Sequence, residues 1–187
     1  MDTTLKIRRF STGVTLVEML IVIAIAALLA SIAFPSYKAM IVSGRISTVT
    51  SDLHSSLLLA RSEALKRGLS VAMCKSASPN AANPVCDASA NDVGWGTGWI
   101  IYVDTDGSRT RNGGEEVIMV RGPYFNATTD GVITSNIANE NISFNLTGQT
   151  FTAAQFAVTA PSGFSDKNRM VCVAIGGRAK VVDGSSC

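Results

Sequence analysis

Twenty-one consecutive residues, Val14 to Phe34, carry a single charge, Glu18. A helix of that length rises 1.5 Å per residue and spans a bilayer core of about 30 Å. Lys6, Arg8 and Arg9 precede it, which predicts a cytoplasmic N-terminus and export of everything beyond about Tyr37. The whole chain, 187 residues, has room for one ordinary domain. At 47% apolar residues and a net charge of only +2, it is too hydrophobic for disorder and lacks collagen-like or coiled-coil composition.

Three readings of the apolar run compete. It suits a cleaved secretory signal, since Ser31-Ile32-Ala33 offers a small-x-small site before Phe34. It also suits a plain signal anchor, but a carboxylate near the bilayer interior costs about 2.5–3.5 kcal/mol on insertion scales and an anchor gains nothing from it. The third reading gives Glu18 a purpose. Cleavage after Gly13 would create an amine on Val14, four residues from Glu18, and in a packed assembly Glu18 would pair with the amine of a neighbouring subunit.

The stretch Ser11-Thr12-Gly13-Val14-Thr15-Leu16-Val17-Glu18-Met19-Leu20 resembles the class III signal of type IV pilins and type II secretion pseudopilins: a short basic leader, Gly at the cut, Glu five residues into the mature chain, then an apolar helix. Val14 stands where that family usually has Phe. The resemblance implies cleavage after Gly13 by a prepilin peptidase and methylation of the new N-terminus on Val14. It divides the chain into a leader (1–13), a transmembrane and assembly half-helix (14–37), an amphipathic half-helix (38–68) and a periplasmic β domain (69–187).

Beyond the run, Pro35 removes the bond to the Ser31 carbonyl and predicts a kink, as pilin helices often carry near this place. Gly44 is a second weak point. Ile46, Val49, Leu53, Leu57, Ala60 and Ala64 then recur at spacings of three and four, one amphipathic stripe. Lys66 and Arg67 suit a helix C-terminus and Gly68 suits the C′ cap, so one helix is predicted from about 15 to 67. The lone histidine, His54, lies one position off the stripe and reads as structural or solvent-facing. Arg61, Glu63, Lys66 and Arg67 read as a charged face turned to solvent or to neighbouring subunits.

From residue 70 the helical period gives way to short β-rich runs separated by Gly, Pro, Asn and Asp. Strands are predicted near 69–74, 98–103, 116–121, 131–136, 141–146, 154–159, 169–175 and 178–182, as one antiparallel sheet or two, with the helix over one face. Arg61-Ser62-Glu63-Ala64-Leu65-Lys66-Arg67-Gly68 with Val71 and Cys74 resembles the helix end and first strand of the FimT/FimU and GspH group. Gly98-Trp99-Ile100-Ile101-Tyr102-Val103-Asp104, leading to Gly113-Gly114-Glu115-Glu116-Val117-Ile118, resembles that group's central hairpin. With Val171-Cys172-Val173 and Gly177-Arg178, the resemblance covers nearly the whole chain. It implies an α+β, type IV pilin-like fold and a minor pilin or minor pseudopilin.

The hairpin carries oxygen-bearing residues at positions 1, 3, 5, 7, 9 and 12 of a calcium-loop pattern running from Asp104 to Glu115. Arg109 replaces the glycine at position 6, and two arginines inside the loop oppose a cation, so the segment reads as a polar turn and no metal is expected. Cys74, Cys86, Cys172 and Cys187 lie in a region predicted to be exported, where disulfides form. Three pairings are possible; local closure favours Cys74–Cys86 and Cys172–Cys187, with 11 and 14 residues between. Asn126, Asn141 and Asn145 begin sequons that read as chance matches in turns.

The sequence contains no Gly-x-Ser-x-Gly elbow, phosphate loop or dinucleotide fingerprint, so neither an enzyme nor a cofactor is expected. One binding candidate remains. Gly176-Gly177-Arg178-Ala179-Lys180 resembles the Gly-Arg-x-Arg motif of FimT-type minor pilins that bind DNA for natural transformation, with Lys180 at the last position. Lys offers phosphate a point charge but not the bidentate fork of Arg. Lys167 and Arg169 would extend the patch. Against DNA binding, residues 70–187 hold eight basic and ten acidic side chains. The expectation is therefore a minor pilin that primes and caps a type IV pilus, with a GspH-like secretion pseudopilin and a DNA-uptake pilin as alternatives. Its partners would be other pilins or pseudopilins, the prepilin peptidase, the inner-membrane assembly platform and, in the third reading, DNA. It would reside in the inner membrane and then at a pilus or pseudopilus tip.

Overall fold

The computed structural model describes residues 13–111, 113–184 and 186–187. The basic cluster Lys6, Arg8 and Arg9 and the leader up to Thr12 lie outside the described residues. The elements run α1 (Leu16–Arg67), β1 (Val71–Lys75), β2 (Trp99–Val103), β3 (Val117–Arg121), β4 (Val132–Ser135), β5 (Asn141–Phe144), β6 (Ala154–Thr159), β7 (Arg169–Val173) and β8 (Ala179–Asp183). All eight expected strands form, each within a few residues of its predicted bounds. The chain divides into two compact units between Ala39 and Met40.

In the first unit α1 is apolar all round, and every side chain from Val14 to Ser31 is exposed. The helix is long and apolar enough to cross a membrane. Pro35 lies within α1.

In the second unit the rest of α1 presents one stripe inward. Ile46, Val49, Leu53, Leu57, Ala60 and Ala64 are each at most 2% exposed, so all six predicted stripe positions are core. α1 stops where expected: Gly68 adopts φ 64° and its N–H donates to the Ala64 carbonyl at 3.0 Å, a left-handed cap that only Gly takes without cost.

The strands make two four-stranded antiparallel sheets, ordered β3-β2-β1-β5 and β4-β6-β7-β8. Period-two alternation sends Val71, Met73, Trp99 and Ile101 of the first sheet, and Phe156, Val158, Val171 and Val173 of the second, into the core that the helix stripe closes. The opposite face of β1 and β2 is buried too. Ala72, Cys74, Ile100 and Tyr102 form a smaller apolar cluster with Cys86 and Val120. The long β1–β2 connection supplies Cys86 to that cluster, so a segment rich in Ser, Ala, Asn and Pro covers a face that antiparallel sheets commonly leave wet.

Two aromatic side chains tie α1 to the sheets with polar bonds. Trp99 Nε1 donates to Ser56 Oγ at 3.0 Å, and Tyr124, stacked on Trp99 at 5.0 Å, donates its hydroxyl to Asp52 at 2.8 Å. Between the sheets, Gly94 bridges Ile133, and a Cβ at Gly94 would lie 2.1 Å from the Ile133 carbonyl oxygen, so only glycine permits the join.

The stripe yields a direct test. Leu53→Ala removes a fully buried side chain and is expected to cost about 2–5 kcal/mol. Leu58→Ala, at a residue 43% exposed, is expected to stay within about 0.5 kcal/mol of the parent. Guanidinium unfolding of the detergent-solubilised chain, followed by fluorescence of the buried Trp95 and Trp99, measures both.

Candidate functional site

The start of α1 is built from two side chains. Thr15 Oγ1 accepts the Glu18 backbone N–H at 3.2 Å, and the Thr15 N–H points back to Glu18 Oε2 at 3.5 Å. This reciprocal pair is a capping box, with a carboxylate at the positive end of the helix dipole. Sequence reasoning gave Glu18 only an intermolecular partner and missed this local one, although Thr15-x-x-Glu18 is the signature of such a box. Gly13 and Val14 precede the helix, exposed.

At the other end of the chain, the turn from β7 into β8 is tight. The Gly177 N–H donates to the Ala174 carbonyl at 2.7 Å, and the Ala174 N–H donates to the Arg178 carbonyl at 3.0 Å. Gly177 adopts φ 75°, and a Cβ there would meet the Gly148 carbonyl oxygen at 1.9 Å. The glycine of the Gly-Arg pair therefore has a steric reason to be there. Arg178 and Lys180 are exposed, and with Gln155 and the Cys172–Cys187 bridge they line one open groove of about 550 Å³. Neither is in an ion pair with a described residue. Lys167 and Arg169 do not extend this patch: Lys167 pairs with Asp166 at 2.7 Å and Arg169 with Asp183 at 3.0 Å, and neither lines the groove.

Both disulfides follow local closure, Cys74–Cys86 and Cys172–Cys187, with Cα–Cα separations of 5.5 and 5.9 Å. The first fastens the covering segment to β1; the second fastens the C-terminus to β7. His54 is half-buried, its Nε2 3.4 Å from the Ala179 carbonyl oxygen, a structural position. The charged helix face is partly internal: Arg67 binds Glu63 at 2.7 Å and Glu116, just before β3, at 2.9 Å. Arg67, then Lys66, holds the Glu63 carboxyl below its ordinary value despite some desolvation.

In the β2–β3 hairpin, one carboxylate oxygen each from Asp104, Asp106 and Glu115 converges within 4.8 Å of the others. Neither arginine of this loop forms an ion pair with them, although the charge of Arg111 opposes the upward shift of the Glu115 carboxyl. Arg111 donates to the Glu115 backbone carbonyl at 3.0 Å, to Asn83 Oδ1 at 2.9 Å and to the Pro84 carbonyl. Arg109 lies over the Phe151 ring, 4.7 Å from its centre. Arg109 also adopts φ 58°, the left-handed conformation for which the calcium-loop pattern uses glycine. Burial, reinforced by the charges of Asp106 and Asp104, pushes the Glu115 carboxyl up, while bonds from Ser108 hold the Asp106 carboxyl down.

An apolar, membrane-length helix segment leading into an amphipathic one that closes the core of a two-sheet antiparallel domain defines the class of type IV pilin-like subunits. The chain belongs to the family described as type II transport protein GspH, whose model matches residues 49–177. The prokaryotic N-terminal methylation motif matches residues 8–34. Two crystal structures of the type IV minor pilin FimU of Pseudomonas aeruginosa share the fold. In one, 20% of residues are identical, 76% of this chain and 92% of that chain are covered, and the TM-score is 0.55. In the other, identity is 19%, coverage is 75% and 94%, and the TM-score is 0.50. No curated protein matches the chain in sequence.

Two outcomes test this geometry. Gly177→Ala is expected to destabilise the domain by roughly 1–3 kcal/mol or more, from left-handed strain and the clash with Gly148. Gly176→Ala, with nothing within 4 Å of its Cβ, is expected to be near neutral in the same denaturation assay. Replacing Cys172 and Cys187 together by serine is expected to cost about 3 kcal/mol by the chain-entropy account of a 14-residue loop. Non-reducing thermal melts read that loss.

Proposed function

We propose that this chain is a minor pilin of a type IV pilus system, cleaved after Gly13 by a prepilin peptidase, methylated on Val14, and used to prime and cap fibre assembly. The observation that carries the reading is the complete exposure of the apolar segment from Val14 to Ser31, entered by a carboxylate in its first turn. Such a surface is covered first by lipid in the inner membrane and then by the corresponding helices of neighbouring pilins. In that bundle Glu18 takes the N-terminal amine of a neighbour, a pairing that offsets the cost of a carboxylate in an apolar medium. Pro35 lies between this segment and the amphipathic half of the helix. The capping box is compatible with that role, because Thr15 N occupies only one oxygen of Glu18.

The assay is the count of surface pili by electron microscopy on cells lacking the gene. Loss of pili, restored by the wild-type gene but not by Glu18→Ala, is the expected result, with the Glu18→Ala chain still inserted in the membrane. Gly13→Ala is expected to leave the unprocessed precursor on an immunoblot; a mature-size band would refute the leader. Normal pili with lost protein secretion would assign the chain to a type II secretion pseudopilus instead.

A second reading rests on the groove at Arg178 and Lys180, where two exposed cations line one concave surface with no Asp or Glu side chain among its described lining residues. It is phosphate recognition of DNA during uptake. Replacing both by alanine is expected to abolish the DNA retardation of the full chain in gel shifts; unchanged retardation removes the site.

A further inference from the structure

Asp104 is 3% exposed, yet only one of its oxygens is used: Oδ1 accepts the Arg109 N–H at 3.1 Å, while Oδ2 is sealed from solvent with no donor. Glu115 repeats the pattern. Its Oε1 accepts the Thr105 N–H at 3.0 Å, and its Oε2 is sealed and without a donor. Among the described residues no lysine or arginine forms an ion pair with Asp104, Asp106 or Glu115. Sealed carboxylate oxygens without partners cost more than almost any other buried group.

A separate observation comes from the strand beneath. Tyr102 is fully buried and its hydroxyl has no partner either. It stands on β2, two residues before Asp104, which follows the last residue of that strand, Val103. Asp104 and Glu115 thus each carry a sealed, unpartnered oxygen in the hairpin where their carboxylates converge with that of Asp106.

We propose that Asp104, Asp106 and Glu115 form a calcium site that locks the β2–β3 hairpin. The donor set is all oxygen, with no thiolate or imidazole, which selects a hard cation. Calcium binds oxygen at about 2.3–2.6 Å, so two of its ligands lie at most about 5 Å apart, which accommodates oxygens gathered within 4.8 Å. Magnesium, at about 2.0–2.1 Å, needs a tighter octahedron. Exposed Asp106 gives the ion its path from solvent, and waters complete the shell. The loop is continuous with two fastenings: the Val103 N–H bonds the Glu116 carbonyl at 2.9 Å, and the Arg111 N–H bonds Cys86 Sγ at 3.2 Å. Calcium would therefore rigidify the hairpin together with the disulfide-clamped segment beside it.

The test uses the EDTA-treated full chain in detergent, with calcium chloride and terbium as probes. One calcium per chain is expected, with Kd about 10⁻⁴–10⁻³ M as in extracellular modules. A rise in Tm on adding calcium and terbium luminescence excited through tyrosine should accompany it. Asp106→Asn, at an exposed position, should weaken calcium by roughly tenfold or more, read as the calcium-dependent rise in Tm of the variant against its own Tm in EDTA. Asp104→Asn and Glu115→Gln should abolish the calcium-dependent rise. No rise and no luminescence up to about 10 mM calcium would overturn the site. So would calcium binding that Asp106→Asn and Glu115→Gln leave intact. A Tm raised by Asp104→Asn in a chain indifferent to calcium would also overturn it, by showing a shared proton in place of the ion.

Discussion

The β-bearing unit depends on one contact, the apolar stripe of α1 laid against two sheets. Neither sheet could bury its inner face alone, and neither could the helix. Ile46, Val49, Leu53 and Leu57 fill the space between Met73, Trp99 and Ile101 on one side and Phe156, Val158 and Val171 on the other. Each large side chain so buried contributes about 1.5–3 kcal/mol. Ala60 and Ala64 continue the stripe with small side chains at the end where the helix closes on Gly68. The bonds from Trp99 to Ser56 and from Tyr124 to Asp52 then select one rotation of the helix about its axis, because a stripe of aliphatic side chains by itself tolerates small slips.

The first unit follows the opposite logic. Its side chains from Val14 to Ser31 are nearly all apolar, and every one of them is exposed. The two surfaces of one helix are thus assigned to different solvents, one to protein core and one to lipid or to the helices of other subunits. A carboxylate in the first turn is matched locally, by the Thr15 N–H at 3.5 Å and by the positive end of the helix dipole.

The sites were legible in the sequence to different depths. Pairing of the cysteines followed from chain distance, since short loops close at the least entropic cost. The Gly-Arg turn was recognisable as a motif, but the reason for Gly177 was not: the Gly148 carbonyl that forbids a Cβ is 29 positions away and arrives only through folding. Lys167 and Arg169 looked available as charges and are spent on Asp166 and Asp183. In the acidic hairpin the positions of the charges also depend on the fold. Arg109 and Arg111, counted along the chain, oppose a cation; in space one stacks on Phe151 and the other bonds Asn83, Pro84 and the Glu115 backbone, and neither forms an ion pair with the carboxylates.

The sequence by itself determined the membrane-length apolar helix, the stripe that continues it, the cap at Gly68, the eight strands and their antiparallel sense. These rest on periodicity and on local backbone preference, which act over a few residues. The tertiary structure alone decided that the strands divide into two sheets of order β3-β2-β1-β5 and β4-β6-β7-β8. It alone decided that the β1–β2 connection covers the outer face of the first sheet, that Arg178 and Lys180 share a groove, and that three carboxylates meet. Those outcomes depend on which distant backbones approach each other. That choice is made by the summed burial of many side chains and by the few glycines that let chains come close, a balance that no local pattern records.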